Sequence, residues 1–180
     1  MAVSRSWVCA VVLAALTAFG TTVPATASPS GGPSDDSFVH VQCHGTESVT
    51  YHPGVTLAAR KIDITTDGRF GSCVDSQGKV TSGSYGERFT VFAGCVNLLD
   101  GFETRRTFTW NTGDTSVMKA TGSSTVVAGQ VVTTIKGTVT QGRFRGRTVV
   151  QVITLPQPDL ARCLTTGLTG ATGVTTLAIT

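Results

Sequence analysis

Charge is scarce in this chain. Asp, Glu, Lys and Arg make up 14% of its 180 residues, and the net charge is only +3. So weak a balance does not by itself point to a polyanion binder, and nucleic acid is not expected as a partner. Beyond residue 20 no apolar run approaches the roughly 20 residues that cross a bilayer, so no span is expected in the mature chain. Close cysteine pairs are missing as well, which argues against a zinc site. There is no GxSxG elbow, and the glycine-rich stretch Gly167–Gly173 lacks the lysine of a phosphate-binding loop. No Asn-x-Ser/Thr acceptor occurs. No metal, cofactor or catalytic set is therefore expected.

What the chain does have is threonine, valine and glycine: 27 threonines follow residue 27. Threonine and valine suit pleated strands, and glycine suits the turns between them. The N-terminus reads as an export signal, Met1 to Ala27, with Arg5 ahead of the apolar run Trp7–Gly20 and the small residues Ala25-Thr26-Ala27 at its end. Residues 28–37, SPSGGPSDDS, form a polar leader that has no surface to bury. A single β domain is expected over 38–180, starting near Phe38 and secreted to the extracellular space.

One offset, 59 residues, aligns the sequence with itself at two places. It lays Glu47–Gly54 over Arg106–Gly113 and Gly78–Tyr85 over Gly137–Phe144. A third, fainter copy is Val174–Ile179. The reading is an internal duplication giving two halves of one fold. Each half reads as four strands, near 47–51, 57–66, 69–83 and 87–96, then 104–110, 115–127, 130–141 and 143–155, with 174–179 as a ninth. Asp67-Gly68, Tyr85-Gly86, Ala128-Gly129 and Gln141-Gly142 supply turn chemistry. Short connections make an antiparallel meander. Eight to nine such strands close most simply into an up-and-down barrel, which removes exposed edges, ahead of a two-sheet sandwich.

Four cysteines follow the signal, and an even count in an exported chain implies two disulfides. A hairpin turning near residues 84 and 85 would set Cys73 opposite Cys95. Cys43 and Cys163 are then left to pair with one another.

Candidate functional residues are few. His40 and His44 are four apart, but in extended chain that is roughly 13 Å, too far to share a metal. Tyr51-His52 and Trp110-Asn111 hold equivalent repeat positions at strand ends, where aromatics can line a barrel mouth that holds a small ligand. Arg143, Arg145 and Arg147 alternate along an expected strand and, with Lys136, form a basic ridge suited to an anionic partner such as cell-wall polyanion or an extracellular protein. The signal, Cys43-His-Gly45 and the GxVTxG segments resemble small exported β-rich proteins of actinobacteria, a resemblance that implies secretion and carries no activity. The expected function is non-catalytic binding of a partner or small ligand. The alternatives are a secreted hydrolase using His52 or His44, and a passive envelope protein.

Overall fold

Alternating β-branched residues build eight strands: β1 (Val41–Val55), β2 (Arg60–Asp75), β3 (Gly83–Ala93), β4 (Phe102–Trp110), β5 (Thr115–Val127), β6 (Gln130–Gly142), β7 (Thr148–Pro156) and β8 (Leu168–Ile179). The computed structural model describes residues 40–180 except Leu99. The expected signal, leader and Phe38 lie outside the described residues. Each strand pairs antiparallel with the next, and β8 returns to β1, closing a barrel. Closure leaves every strand paired on both sides, as the meander implied, with β3 and β4 joined only at their lower ends.

The chain enters and leaves at one end, here the lower end, together with the connections 76–82, 111–114 and 143–147. The upper end carries 56–59, 94–101, 128–129 and 157–167. One short helix, α1 (Leu160–Leu164), sits in the last of these. Asp159 caps it, its side chain accepting from the Ala161 N–H at 2.9 Å. No helix among the described residues is long and apolar enough to cross a membrane.

The segmentation of the first four strands differs from the sequence reading. Asp67-Gly68 is not a turn: β2 runs unbroken through it, and Gly68 pairs across the ladder with Tyr85. The Tyr85 ring lies where a side chain at 68 would stand, so glycine is there to admit the ring. Tyr85-Gly86 likewise lies inside β3. Gly83 under Trp110 and Gly122 under Phe102 repeat the device, each glycine directly opposite its aromatic. Ala128-Gly129 does turn the chain, with φ of 49° and 77° as a two-residue hairpin requires. The segment 174–179 falls within β8, so the strands number eight. The 59-residue offset lays β1 on β4, three strands on, so the segments it relates run in opposite directions.

The disulfides are Cys43–Cys73 and Cys95–Cys163, which corrects the expected Cys73–Cys95 and Cys43–Cys163. Because β2 continues past Gly68, it carries Cys73 down to the lower end, where it faces Cys43 across the β1–β2 ladder. Cys95 lies just beyond β3 at the upper end, and there it reaches Cys163 of α1. The expected hairpin was centred several residues too late.

The interior is divided. Its lower half is a packed cluster that includes Phe70, Tyr85, Phe108, Trp110, Met118, Ile135 and Leu177. The aromatic rings meet at centroid separations between 5.4 and 6.0 Å, a spacing at which tilted and edge-on pairs attract. A second, smaller cluster, Val49, Val55, Ile62, Ile64, Ala93 and Leu168, lines the upper half.

Candidate functional site in the upper barrel

Strands β3 and β4 pair through only three residue pairs, Gly83–Tyr85 with Phe108–Trp110, all near the lower end. Above them the two strands diverge toward the long connection 94–101. Phe89 faces this gap and stays 42% exposed, and Phe102 opposite is 39% exposed. A cavity of about 890 Å³ occupies the upper barrel and the gap. That size falls within the range of small-molecule sites.

The cavity walls are apolar: Val49, Ile64, Val91, Val131, Ile153 and Leu155. Its floor is polar and rests on the aromatic plug. There Arg106, 3% exposed, donates from Nε and Nη2 to Glu87 Oε2 at 3.0 and 2.7 Å, and from Nη1 to Gln151 Oε1 at 2.7 Å. Its guanidinium stacks 4.3 Å from the centre of the Tyr85 ring. Thr104 donates to the other oxygen of Glu87 at 2.8 Å. Glu47, also 3% exposed, accepts the Tyr85 hydroxyl at 2.5 Å and lies 3.6 Å from Arg106 Nη1. Gln151 Nε2 donates to Tyr85 Oη and Thr175 Oγ1 at 2.7 and 2.9 Å.

Burial pushes the Glu47 carboxyl above its ordinary value, while Arg106 and the Tyr85 hydroxyl pull it down and Glu87 pushes it up. Burial, with Glu47 nearby, also pushes the Tyr51 hydroxyl up to about 12 and the Tyr85 hydroxyl higher still. Thr66 lines the same cavity, and its hydroxyl is buried without a partner among the described residues.

The four residues expected to line a mouth are not brought together. Tyr51 borders the cavity. His52 beside it is exposed. Trp110 sits at the other end of the barrel, 2% exposed in the aromatic plug, with Nε1 donating to Ser116 Oγ at 2.9 Å. Asn111 orders the lower connection 76–82, accepting from the Thr81 and Ser82 N–H groups at 2.9 and 3.2 Å. His44 and His52 are both exposed, and no histidine lines the cavity among the described residues.

The expected basic ridge is also altered. Arg143, Arg145 and Arg147 do not alternate along a strand; they occupy the connection between β6 and β7, which Phe144 at φ 65° and Gly146 at φ 85° fold back on itself. Arg143 turns to Asp75 and Asp114 at 3.2 and 3.1 Å and is thereby neutralised. Lys136 lies in the middle of β6, on the outer face, several residues up the barrel from the arginines.

The polar floor was missed because its members are scattered, one or two to a strand, over β1, β3, β4, β7 and β8. One signal was available: the 59-residue offset aligns Glu47 with Arg106, opposite charges on strands otherwise alternating apolar. No group of His, Cys, Asp or Glu among the described residues is placed to hold a metal. Comparison of the chain with protein-family models, with curated proteins and with solved structures returns no match.

Proposed function

We propose that this protein is a secreted, non-catalytic binding barrel that holds one small, largely apolar molecule in its upper half. The observation that carries the reading is the cavity itself: about 890 Å³, largely apolar on its walls, with a hydrogen-bonded polar layer at its floor. Such a site gains its affinity from apolar burial and its orientation from a few fixed polar atoms. The divergence of β3 from β4 offers an entry without unfolding of the barrel. Two disulfides, one at each end, suit a protein that works in an oxidising, extracellular setting. The aromatic plug lets the lower half supply the stability that a hollow upper half gives up.

Titration with the neutral, environment-sensitive dye Nile red tests this. The protein is expected to brighten and blue-shift the dye in a saturable manner. Ser124→Trp, a bulky side chain introduced at the cavity wall, is expected to abolish the signal while the far-UV spectrum is unchanged. Absence of saturable binding to the wild-type protein sinks the reading.

A further inference from the structure

We propose that the ligand of this cavity is an apolar amine, held by its ammonium group at Glu47 and Thr66, and not a fatty acid or other anion; the inference deepens the binding reading above and rests on it. The argument is a count of charge. One guanidinium, Arg106, stands on the floor against two carboxylates, Glu47 and Glu87. Glu87 takes two of its donors and has its second oxygen filled by Thr104, so that pair is closed. The remaining donor contact of Arg106 goes to Gln151. Glu47 is left as the surplus carboxylate. Its contacts among the described residues fall on Oε2, leaving Oε1 without a protein partner.

The mouth does not reverse this sign. Arg88, Arg105 and Arg162 border the cavity, but so do Asp100, Glu103 and Asp159, and the two sets cancel. The preference for one charge is therefore decided at the floor, and the floor is negative.

A buried carboxylate that must share its one cation with a second carboxylate is costly, and the protein has two remedies: take a proton, or receive a cation from outside. Burial raises the proton affinity of Glu47, a pull toward the first remedy. An ammonium group supplies the second, and it has three N–H donors to place. Glu47 Oε1 accepts one. Thr66 Oγ1, buried and unpartnered beside the cavity, accepts another when its side chain turns toward the head group. The two residues are diagonal neighbours across the β1–β2 ladder, where Val49 pairs with Thr66 and Glu47 with Gly68. Such neighbours lie roughly 7–8 Å apart at the backbone, close enough for one head group to touch both. An incoming carboxylate could take the Thr66 O–H but meets no free cation, since each Arg106 nitrogen already donates to Glu87 or Gln151 and Glu47 repels it.

The groups that face Glu47 are Tyr51 on its own strand, Thr66 on β2, Tyr85 and Glu87 on β3, Arg106 on β4, Gln151 on β7 and Thr175 on β8. Of these, only Arg106 is a cation. Ligand affinity should thus follow the ionisation of Glu47.

Calorimetric titration of the purified protein with decylammonium, decanol and decanoate, below their micelle concentrations, tests the head group with the chain held constant. Decylammonium is expected to bind at least about tenfold more tightly than decanoate, with decanol between. Glu47→Gln is expected to remove the advantage of the amine over the alcohol. Equal or tighter binding of decanoate overturns the proposal, as does an amine advantage that survives in folded Glu47→Gln. Should that variant not fold, a pH series on the wild type decides: the amine's advantage over decanol should fall as acid protonates Glu47, and a constant ratio overturns the proposal. Nile red binding without amine binding removes the amine assignment alone. Failure of both probes removes the cavity reading beneath it.

Discussion

The lower and upper halves of this barrel use the same eight strands to opposite ends. Below, β3 and β4 are paired, four aromatic side chains fill the interior, and glycines on facing strands make room for the rings. Above, the same two strands part, the walls are mostly aliphatic with Phe89 and Phe102 left half-exposed at the seam, and space remains. The difference teaches that closure and filling are separate decisions. An eight-stranded barrel is wide enough to be packed by its own side chains or to hold one small molecule, depending on how bulky they are. Here the choice changes midway along the strands, at the layer formed by Glu47, Tyr85, Arg106, Gln151 and Thr175. That layer satisfies its own polar groups except Glu47 Oε1, which it presents upward.

Truncating one phenylalanine in each half tests the division most severely. Phe108→Ala, in the plug, should cost about 3–5 kcal/mol in urea unfolding, the ordinary penalty for a buried aromatic. Phe89→Ala, at the open seam, should cost under about 1.5 kcal/mol and weaken Nile red binding instead. Equal costs would mean that the upper half is packed as tightly as the lower.

The disulfides offer the next contrast. Cys95–Cys163 closes a separation of 68 residues between otherwise loosely held upper connections, and its double serine variant should lose about 2–4 kcal/mol. Cys43–Cys73 closes 30 residues between strands already joined by a ladder, and its loss should cost less by about 0.7 kcal/mol on chain entropy alone. Guanidinium unfolding of the two variants gives the order directly.

Acidity separates the floor from the lower rim by sign. Glu47 holds its proton above the ordinary 4.5 in the folded protein, so folding favours its protonated form. Its stabilising contribution is present below pH 4.5 and is lost as pH rises through the folded value. For Asp75, burial works to raise the value, but the N–H groups of Val80, Gln77 and Lys79 and the Arg143 guanidinium together hold it below 3.8. Its contribution is present above pH 3.8 and is lost as pH falls through the folded value. In denaturation series across pH, Glu47→Gln should therefore flatten the alkaline side of the stability profile and Asp75→Asn the acid side.

The smallest effect is expected outside. Lys136→Glu and Arg145→Glu replace exposed charges without ion-pair partners among the described residues. Each should change stability by no more than about 0.5 kcal/mol and leave Nile red binding intact.

Much of the fold was legible because strand alternation is local. Val131, Ile135 and Val139 repeat at even spacing, and they do line the interior. Asp67-Gly68 misled because glycine in a strand looks like glycine in a turn until the ring opposite it is known. That reading shortened β2, and with Tyr85-Gly86 taken as a turn for the same reason it moved the hairpin centre and the cysteine pairing. Arg143, Arg145 and Arg147 misled for the complementary reason: alternation holds only while the backbone stays extended, and Gly146 allows it not to be. Trp110 was placed at a strand end correctly, but which end of the barrel that strand end occupies depends on direction, which alternation does not encode.

The sequence by itself determined the strand count to within one, the antiparallel meander, its closure and the presence of two disulfides. These follow from side-chain period, short connections and cysteine number, all properties of neighbouring residues. Only the tertiary structure decided which cysteines meet, which half is hollow and that one arginine serves two carboxylates. Those facts depend on register around a closed circuit of eight strands, where a shift of one residue in any strand turns its side chains to the other face.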